Sequence, residues 1–545
     1  KNLTTLLQQF RIYLARRKKL TQILNKINFK SLLKNKKIFF LIIFINSSLF
    51  TIYYGYRGVF PIDSFLVFDA GYKVLNNIHP FKDYWTITGP LLDYLQSGFF
   101  LLFKVNWFSY VLHAALINCL LSIISFYFFL NIGLSKIYAL LYAISISILA
   151  YPTTGTPFVD HHAVIFATIS MSYLILAFIE NKRKFWFLSS LFLVFSFLSK
   201  QIPGVYLAVL SIIMVVIYLI FIKEKKDKNF LFFALGGVTG ITFFFVIFFI
   251  NKIPIENFLI QYIYYPITIG ENRTTNINLN FKNVLFQFKF IYLSLFPVLI
   301  ASFFLYKTKQ KNLENKIDFL VLILVFSSFA VFIYTQILTK NQILIFFLIP
   351  FYLGISHSYV KKYINKKYLI NFIILILILT TIKYHLRFNE GKKFMELANA
   401  DFSKAIDAKI LDKKLTGLQW ITPHYIDNPN LELKLLKELK KVISEDLENK
   451  IIISDYQILP ALTDNLNFAP NKWFDTLSVP SKDNKYFVKY KLFFISKLKE
   501  QKIKNIYAVG EDKLNYFLFL FDKKNCVKYK RINEISVKLN ISNCF

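Results

Sequence analysis

Apolar residues in this chain come in long runs, with polar residues gathered in short clusters between them. Runs at 38–56, 107–130, 136–151, 163–179, 185–199, 205–222, 230–250, 290–306, 317–334, 343–356 and 368–382 predict eleven membrane-spanning helices. A bilayer core needs about 20 residues of helix, so the ends of the shorter runs are expected to differ from the helix ends by a few residues. The stretch 89–103 is apolar enough to count as a further span, but counting it would reverse the side of every later loop. It is expected instead as an interfacial or re-entrant helix, amphipathic through Asp93 and Gln96. After residue 384 the pattern changes to short alternating pieces, with strands predicted at 418–422, 450–455 and 504–510 and helices at 432–447 and 487–501. The expected architecture is an all-α polytopic membrane bundle with a C-terminal soluble α/β domain. It divides into a basic segment at 1–37, a transmembrane domain at 38–385 with its first outside loop at 57–106, and an exported domain at 386–545.

Composition agrees: 55% hydrophobic and 18% aromatic residues exclude an ordinary soluble domain. Charge adds orientation. Residues 1–37 hold eleven Lys and Arg and no Asp or Glu, and basic clusters recur at 182–184, 223–228, 307–316 and 361–367, on every second loop. The positive-inside rule places these loops and the N-terminus in the cytoplasm, and the C-terminal domain outside a bacterial inner membrane. No cleavage-site pattern follows the first run, so the first span is expected to be retained. A formal charge of +34 would suit nucleic acid, but the basic residues flank spans. Membrane lipids, and not nucleic acid, are the expected partners.

Ionisable residues near hydrocarbon are costly unless paired or functional, and here they gather on the side opposite the basic loops. The first outside loop carries Asp63, Asp69, Asp83 and Asp93. Asp160-His161-His162 precedes the fourth span, Lys200 lies between spans five and six, and Arg273 sits in the long loop 251–289, joined by Lys340 after span nine. A carboxylate offers a base for a hydroxyl, while Lys200 and Arg273 offer charge for a phosphate. Each has a plainer alternative: Asp63 and Asp69 would cap helices, Lys200 would snorkel to headgroups, and Arg273 would touch lipid phosphates. Asp160-His161-His162 invites a metal reading, but adjacent residues seldom point at one ion, and no third histidine stands at ligand spacing. Hydrogen bonding of a sugar or phosphate by Asp160 and one histidine is expected there. No cofactor is expected, with a divalent metal kept as the alternative. Asp455 and Gly510 close strand-like runs where such sheets often bind ligands, but without a Gly-rich phosphate loop a binding or structural role is expected. Cys526 and Cys544 bracket the last strand-like segment of the exported domain and are expected to form a disulfide, two buried thiols being the alternative.

The first loop resembles the signature of the GT-C superfamily of polyprenyl-phosphate-sugar glycosyltransferases, which includes the protein O-mannosyltransferases and the aminoarabinose transferases. The matching pieces are Asp69-Ala-Gly-Tyr72, His79-Pro-Phe-Lys-Asp83 and Gly89-Pro90-Leu-Leu-Asp-Tyr94, followed by Asp160 and by Lys200 in Leu-Ser-Lys-Gln-Ile-Pro. The resemblance covers residues 38–385. It implies an inverting transfer from a polyprenyl-phosphate-linked sugar donor to a cell-envelope lipid, glycan or protein acceptor, with Asp69 as the base and Lys200 at the donor phosphate. Asp63 stands as a rival base, because the family's frequent Asp-Glu pair is here Asp69-Ala70. The alternatives from other classes are a lipid or anionic-solute transporter or flippase, and a scaffold for the exported domain.

Overall fold

The computed structural model describes residues 36–150, 155–222, 228–275, 282–307, 313–339, 345–521 and 526–545. Each of the eleven apolar runs falls on a helix. The first span is α1 (Lys36–Gly55), and the first loop then forms α2 (Pro61–Ser64), α3 (Leu66–Leu75) and α4 (Leu91–Phe103). The bundle continues as α5 (Trp107–Asn131), α6 (Lys136–Leu149), α7 (Val159–Glu180), α8 (Arg183–Ser199), α9 (Gln201–Phe221) and α10 (Leu231–Ile250). A helix in the long loop, α11 (Tyr265–Thr275), precedes α12 (Gln287–Lys307), α13 (Leu313–Thr339), α14 (Leu348–Tyr363) and α15 (Lys367–Tyr384). Among the described residues eight helices are long and apolar enough to cross a membrane, and α6, α8 and α14, at 14, 17 and 16 residues, are the shorter three of the eleven. The central helix α7 is almost wholly enclosed, whereas α10 turns most of its apolar surface outward, as only a lipid solvent permits. The chain is therefore a polytopic membrane bundle.

Basic loops meet at one end. The Lys361 ammonium donates to the Gly133 carbonyl (2.9 Å), Asn229 donates to the Asn181 carbonyl (2.8 Å), and Lys362 pairs with Asp318 (2.5 Å) and Glu314 (2.6 Å). The first loop, the N-terminus of α7, the α8–α9 junction and the long loop meet at the other. There Gly89 donates to the Ser199 carbonyl (3.0 Å), Gln201 donates to the carbonyls of Ile87 (2.9 Å) and Tyr262 (2.7 Å), and Thr156 donates to the Ser64 carbonyl (3.2 Å). The absence of a side chain at Gly89 is required, since a Cβ there would lie 1.8 Å from the Leu198 carbonyl oxygen.

Two expectations change in detail. The helix at α7 starts at Val159, four residues before its apolar run, so Asp160, His161 and His162 form its first turn and are not part of a loop. A carboxylate is favoured there by the helix dipole, so the helix outlasts the apolar run. In α4 the polar side chains point the other way from an interfacial helix: Asp93 and Gln96 are buried, and Leu101 and Leu102 are 75% exposed. The reason is a buried cation from the C-terminal domain that Asp93 binds.

That domain carries a short antiparallel pair, β1 (Ile406–Asp407) with β2 (Gln419–Trp420), and a four-stranded sheet. The sheet holds β3 (Lys450–Ser454), β4 (Asn505–Val509), β5 (Lys528–Asn533) and β6 (Ser536–Asn540) in the order β3-β4-β6-β5. β3 and β4 are parallel, and the β5–β6 hairpin adds antiparallel to β4. The amphipathic helices α16 (Pro429–Glu445) and α17 (Phe487–Glu500) connect the strands, giving the expected α/β layering. Cys526 and Cys544 are disulfide-bonded across the terminal hairpin, with Cα atoms 5.1 Å apart. The domain shares a core with the first loop, where Val59, Phe65, Phe68 and Trp107 pack in one cluster with Leu411, Trp420, Leu436 and Phe468.

Candidate functional site

Pro61 opens the single turn of α2, and the Ser64 hydroxyl accepts the Phe60 N–H (3.0 Å), closing the turn that carries Asp63. Asp63 is only 9% exposed, and no described residue donates a hydrogen bond to its carboxylate. Burial, reinforced by the negative charges of Asp160, Asp475 and Asp455, pushes its carboxyl up to about 7 against the pull of Lys200. At that value a carboxyl holds or releases a proton near neutrality.

Asp160, in the first turn of α7, binds the Lys200 ammonium directly. Lys200 sits in an extended conformation at the break between α8 and α9, which turns its side chain back across the helix ends to Asp160. The expected carboxylate and phosphate-binding lysine are thus one ion pair, within electrostatic reach of Asp63.

Two further carboxylates within electrostatic reach of Asp63 come from the C-terminal domain. Asp455 follows β3 and pairs with Lys513 (2.8 Å), which lies just beyond β4 and also donates to the Phe474 carbonyl (3.3 Å). Asp475 accepts from the backbone N–H groups of Leu477 (2.8 Å) and Ser478 (2.6 Å) through one oxygen. Its segment is anchored by Tyr265 of the long loop, whose hydroxyl donates to the Leu477 carbonyl (2.6 Å). Asp63 therefore feels a charge carried just beyond the carboxyl end of β3, the end where layered sheets commonly place ligands. Of these residues the sequence had marked Asp455 as a strand end, without a partner in the bundle. Asp475 carried no signal, because its proximity to Asp63 arises only from tertiary packing.

Asp69 lies elsewhere. On α3 it pairs with Lys73 one turn later (2.8 Å), with side chains 6% and 1% exposed. Burial raises its pKa, and the Lys73 charge opposes that rise. The neighbouring void holds about 10 Å³, lined by Asp69, Lys73, Ser454, Gln457 and Asn471, room for about one water. Beside this pair, Lys472 of the C-terminal domain reaches Asp93 (2.6 Å) and Thr88 (2.9 Å), and the Tyr84 hydroxyl donates to the second oxygen of Asp93 (2.7 Å). Backbone bonds run alongside, from Trp85 N–H to Pro470 (3.1 Å) and from Lys472 N–H to Trp85 (2.9 Å). Two acids and two lysines, all nearly inaccessible, form a neutral strut between the first loop and the domain.

The remaining expected residues are placed as follows. His162 turns into the bundle, where Nδ1 donates to the Phe158 carbonyl (3.0 Å) and its ring lies 5.1 Å from that of His113. His161 is buried against Phe347. Asp160 and the two histidines therefore diverge, and among the described residues no group of three or more His, Cys, Asp or Glu is placed to hold a metal ion. Arg273 lies on α11 and forms no ion pair among the described residues. Lys340 lies outside the described residues. Neither Asp63 nor Asp69 caps a helix; Phe60 and Phe65 hold the cap positions of α2 and α3.

Fold and site together define an integral membrane protein with a cluster of charged residues where its helical bundle meets a C-terminal α/β domain. No family model matches the sequence, and no curated protein matches it. Among solved structures, the chain is similar to the archaeal oligosaccharyltransferase AglB from Archaeoglobus fulgidus, solved with an inhibitory peptide and a dolichol-phosphate. The two share 12% identity at a TM-score of 0.41, over 87% of this chain and 70% of that one.

Proposed function

We propose that this chain is a membrane glycosyltransferase of the GT-C type that moves a sugar from a polyprenyl-phosphate donor to a cell-envelope acceptor with inversion, using Asp63 as its base. The observation that carries this reading is the meeting of a buried carboxyl, free of hydrogen-bond donors among the described residues, with the Asp160–Lys200 pair at one end of the bundle. The order of motifs in the first loop, which resembles that superfamily, supports it. A hydroxyl is a weak nucleophile at neutral pH, and a base near pKa 7 serves it best. In the proposed step the acceptor oxygen attacks the anomeric carbon while its proton passes to Asp63. The bond from that carbon to the phosphate oxygen breaks on the opposite face, and the electron pair leaves with the polyprenyl phosphate. Lys200 meets the growing negative charge, and Asp160 holds Lys200 in place. Asp455 and Asp475 offer hydrogen-bond acceptors for hydroxyl groups of the acceptor, so the C-terminal domain forms the acceptor side.

The test is incubation of the purified full chain in detergent with a synthetic polyprenyl-phosphate sugar and an envelope extract, measuring released polyprenyl phosphate and the new glycosidic product. Equal release of lipid phosphate and gain of product, with the opposite anomeric configuration, is expected. Movement of intact donor across a vesicle bilayer, with no bond broken, would establish the flippase alternative instead.

A further inference from the structure

On α1, Leu41, Ile45, Leu49 and Tyr53 stand at four-residue spacing and are exposed by 56, 46, 63 and 57%. Residues at that spacing share one helix face, so the span presents a continuous apolar row to its surroundings. Arg57 lies two residues beyond the end of α1, on the side of the C-terminal domain, where it bridges to Gln419. There the row runs into a groove of about 540 Å³, lined by Ile52, Tyr53, Tyr56 and Arg57 on one side and by Phe402, Ser403 and Gln419 of the domain on the other. Its two walls are joined by backbone bonds, from Gly58 N–H to Gln419 (3.0 Å) and from Gln419 N–H to Tyr56 (2.8 Å).

The Arg57 guanidinium lies over the rings of Tyr53 (5.3 Å) and Phe402 (4.9 Å), which fix its plane. Nη1 donates to the Tyr53 hydroxyl (3.1 Å) and stands 3.6 Å from a Glu390 oxygen, while Nη2 and Nε donate to no described residue. A planar fork with spare donors, ringed by aromatics at a membrane boundary, matches the oxygens of a phosphate and the depth of headgroups. The groove is of the size that small-molecule headgroups fill.

We propose that this groove binds the phosphate of an anionic membrane glycerophospholipid, with an acyl chain lying along the Leu41–Tyr53 row. Charge complementarity selects the phosphate, and the continuous apolar row selects a lipid over a soluble phosphate ester. Because Phe402, Ser403 and Gln419 form the roof, the bound lipid ties the first span to the C-terminal domain. The proposal stands independently of the glycosyl-transfer reading.

Native mass spectrometry of the full chain, titrated with phosphatidylglycerol or with glycerol 3-phosphate, tests it. The wild-type chain is expected to hold phosphatidylglycerol and not glycerol 3-phosphate, and Arg57→Gln to weaken lipid binding about tenfold or more. Ser403→Trp keeps Arg57 but fills the groove, and it too should lose the lipid, while unfolding at the wild-type temperature when both are freed of lipid. Undiminished binding by folded Arg57→Gln, or equal binding of glycerol 3-phosphate, would overturn the proposal.

Discussion

Asp63 and Asp69 lie six residues apart in one loop, and both are buried, yet their surroundings give them opposite capacities. Asp69 has Lys73 on its own helix, Lys472 and Asp93 beside it, and a void with room for about one water. One of its oxygens is held by Lys73, whose ammonium also donates to the Asn471 carbonyl of the C-terminal domain (3.4 Å), and the other, Oδ1, is buried without a hydrogen-bond partner among the described residues. Asp63 has no hydrogen-bond donor among the described residues, faces three other carboxylates, and has a single lysine, itself bound to Asp160, to favour its charge. Burial is thus common to both acids, and the difference lies in their charged neighbours: Asp69 has a lysine paired to it one turn away, whereas the lysine that reaches Asp63 is itself paired with Asp160.

The strut offers the largest effect on stability. Lys472→Ala leaves Asp93 buried and unpaired and should cost about 3–5 kcal/mol, measured by thermal unfolding in detergent, whereas Lys472→Met with Asp93→Leu should recover most of that loss. Transfer per folded molecule should change little; a loss of chemistry at full stability would place the strut within the working site. Removing the Cys526–Cys544 bond should cost about 3 kcal/mol for a loop of this length, with no change in transfer per folded molecule. Lys200→Ala should raise the donor KM and lower turnover, each by about tenfold, because the same charge meets the phosphate before and during the reaction. An effect on turnover alone would confine Lys200 to the departing phosphate.

A further effect is on pH dependence. Asp63 keeps its proton to about 7 when folded, but only to about 4 when unfolded. Between those values the folded state binds more protons, so Asp63 lowers stability as pH rises through that window. Asp63→Asn should remove this slope and unfold at a higher temperature than the wild type at pH 8, with no such gain at pH 4. A gain independent of pH would show that Asp63 does not titrate there.

Helices were legible at all eleven apolar runs, eight of them long and apolar enough to cross a membrane, because lipid-facing helices must be apolar along their length, and the grouping of alternate loops at one end followed from lysine and arginine alone. Gathering Asp63, Asp160 and Lys200 at one end follows from that grouping. The contrast between the surroundings of the two first-loop acids was less visible. One local clue was present, the Asp69–Lys73 spacing that lets the two pair on a helix. The rest depends on residues about 400 positions later in the chain: Lys472, which turns the polar face of α4 inward, and Asp455 and Asp475, whose charges reach Asp63. No periodicity connects such distant segments, because their proximity is set by how the C-terminal domain docks on the first loop.

The most direct test of the account compares Asp63→Asn with Asp69→Asn in transfer from a synthetic polyprenyl-phosphate sugar, with each rate divided by the folded fraction at the assay temperature. Loss of a general base lowers turnover by about a hundredfold to ten-thousandfold, so Asp63→Asn should fall in that range while Asp69→Asn loses stability and keeps near wild-type turnover per folded molecule. The reverse outcome, an active Asp63→Asn beside an inactive but fully folded Asp69→Asn, would contradict the account.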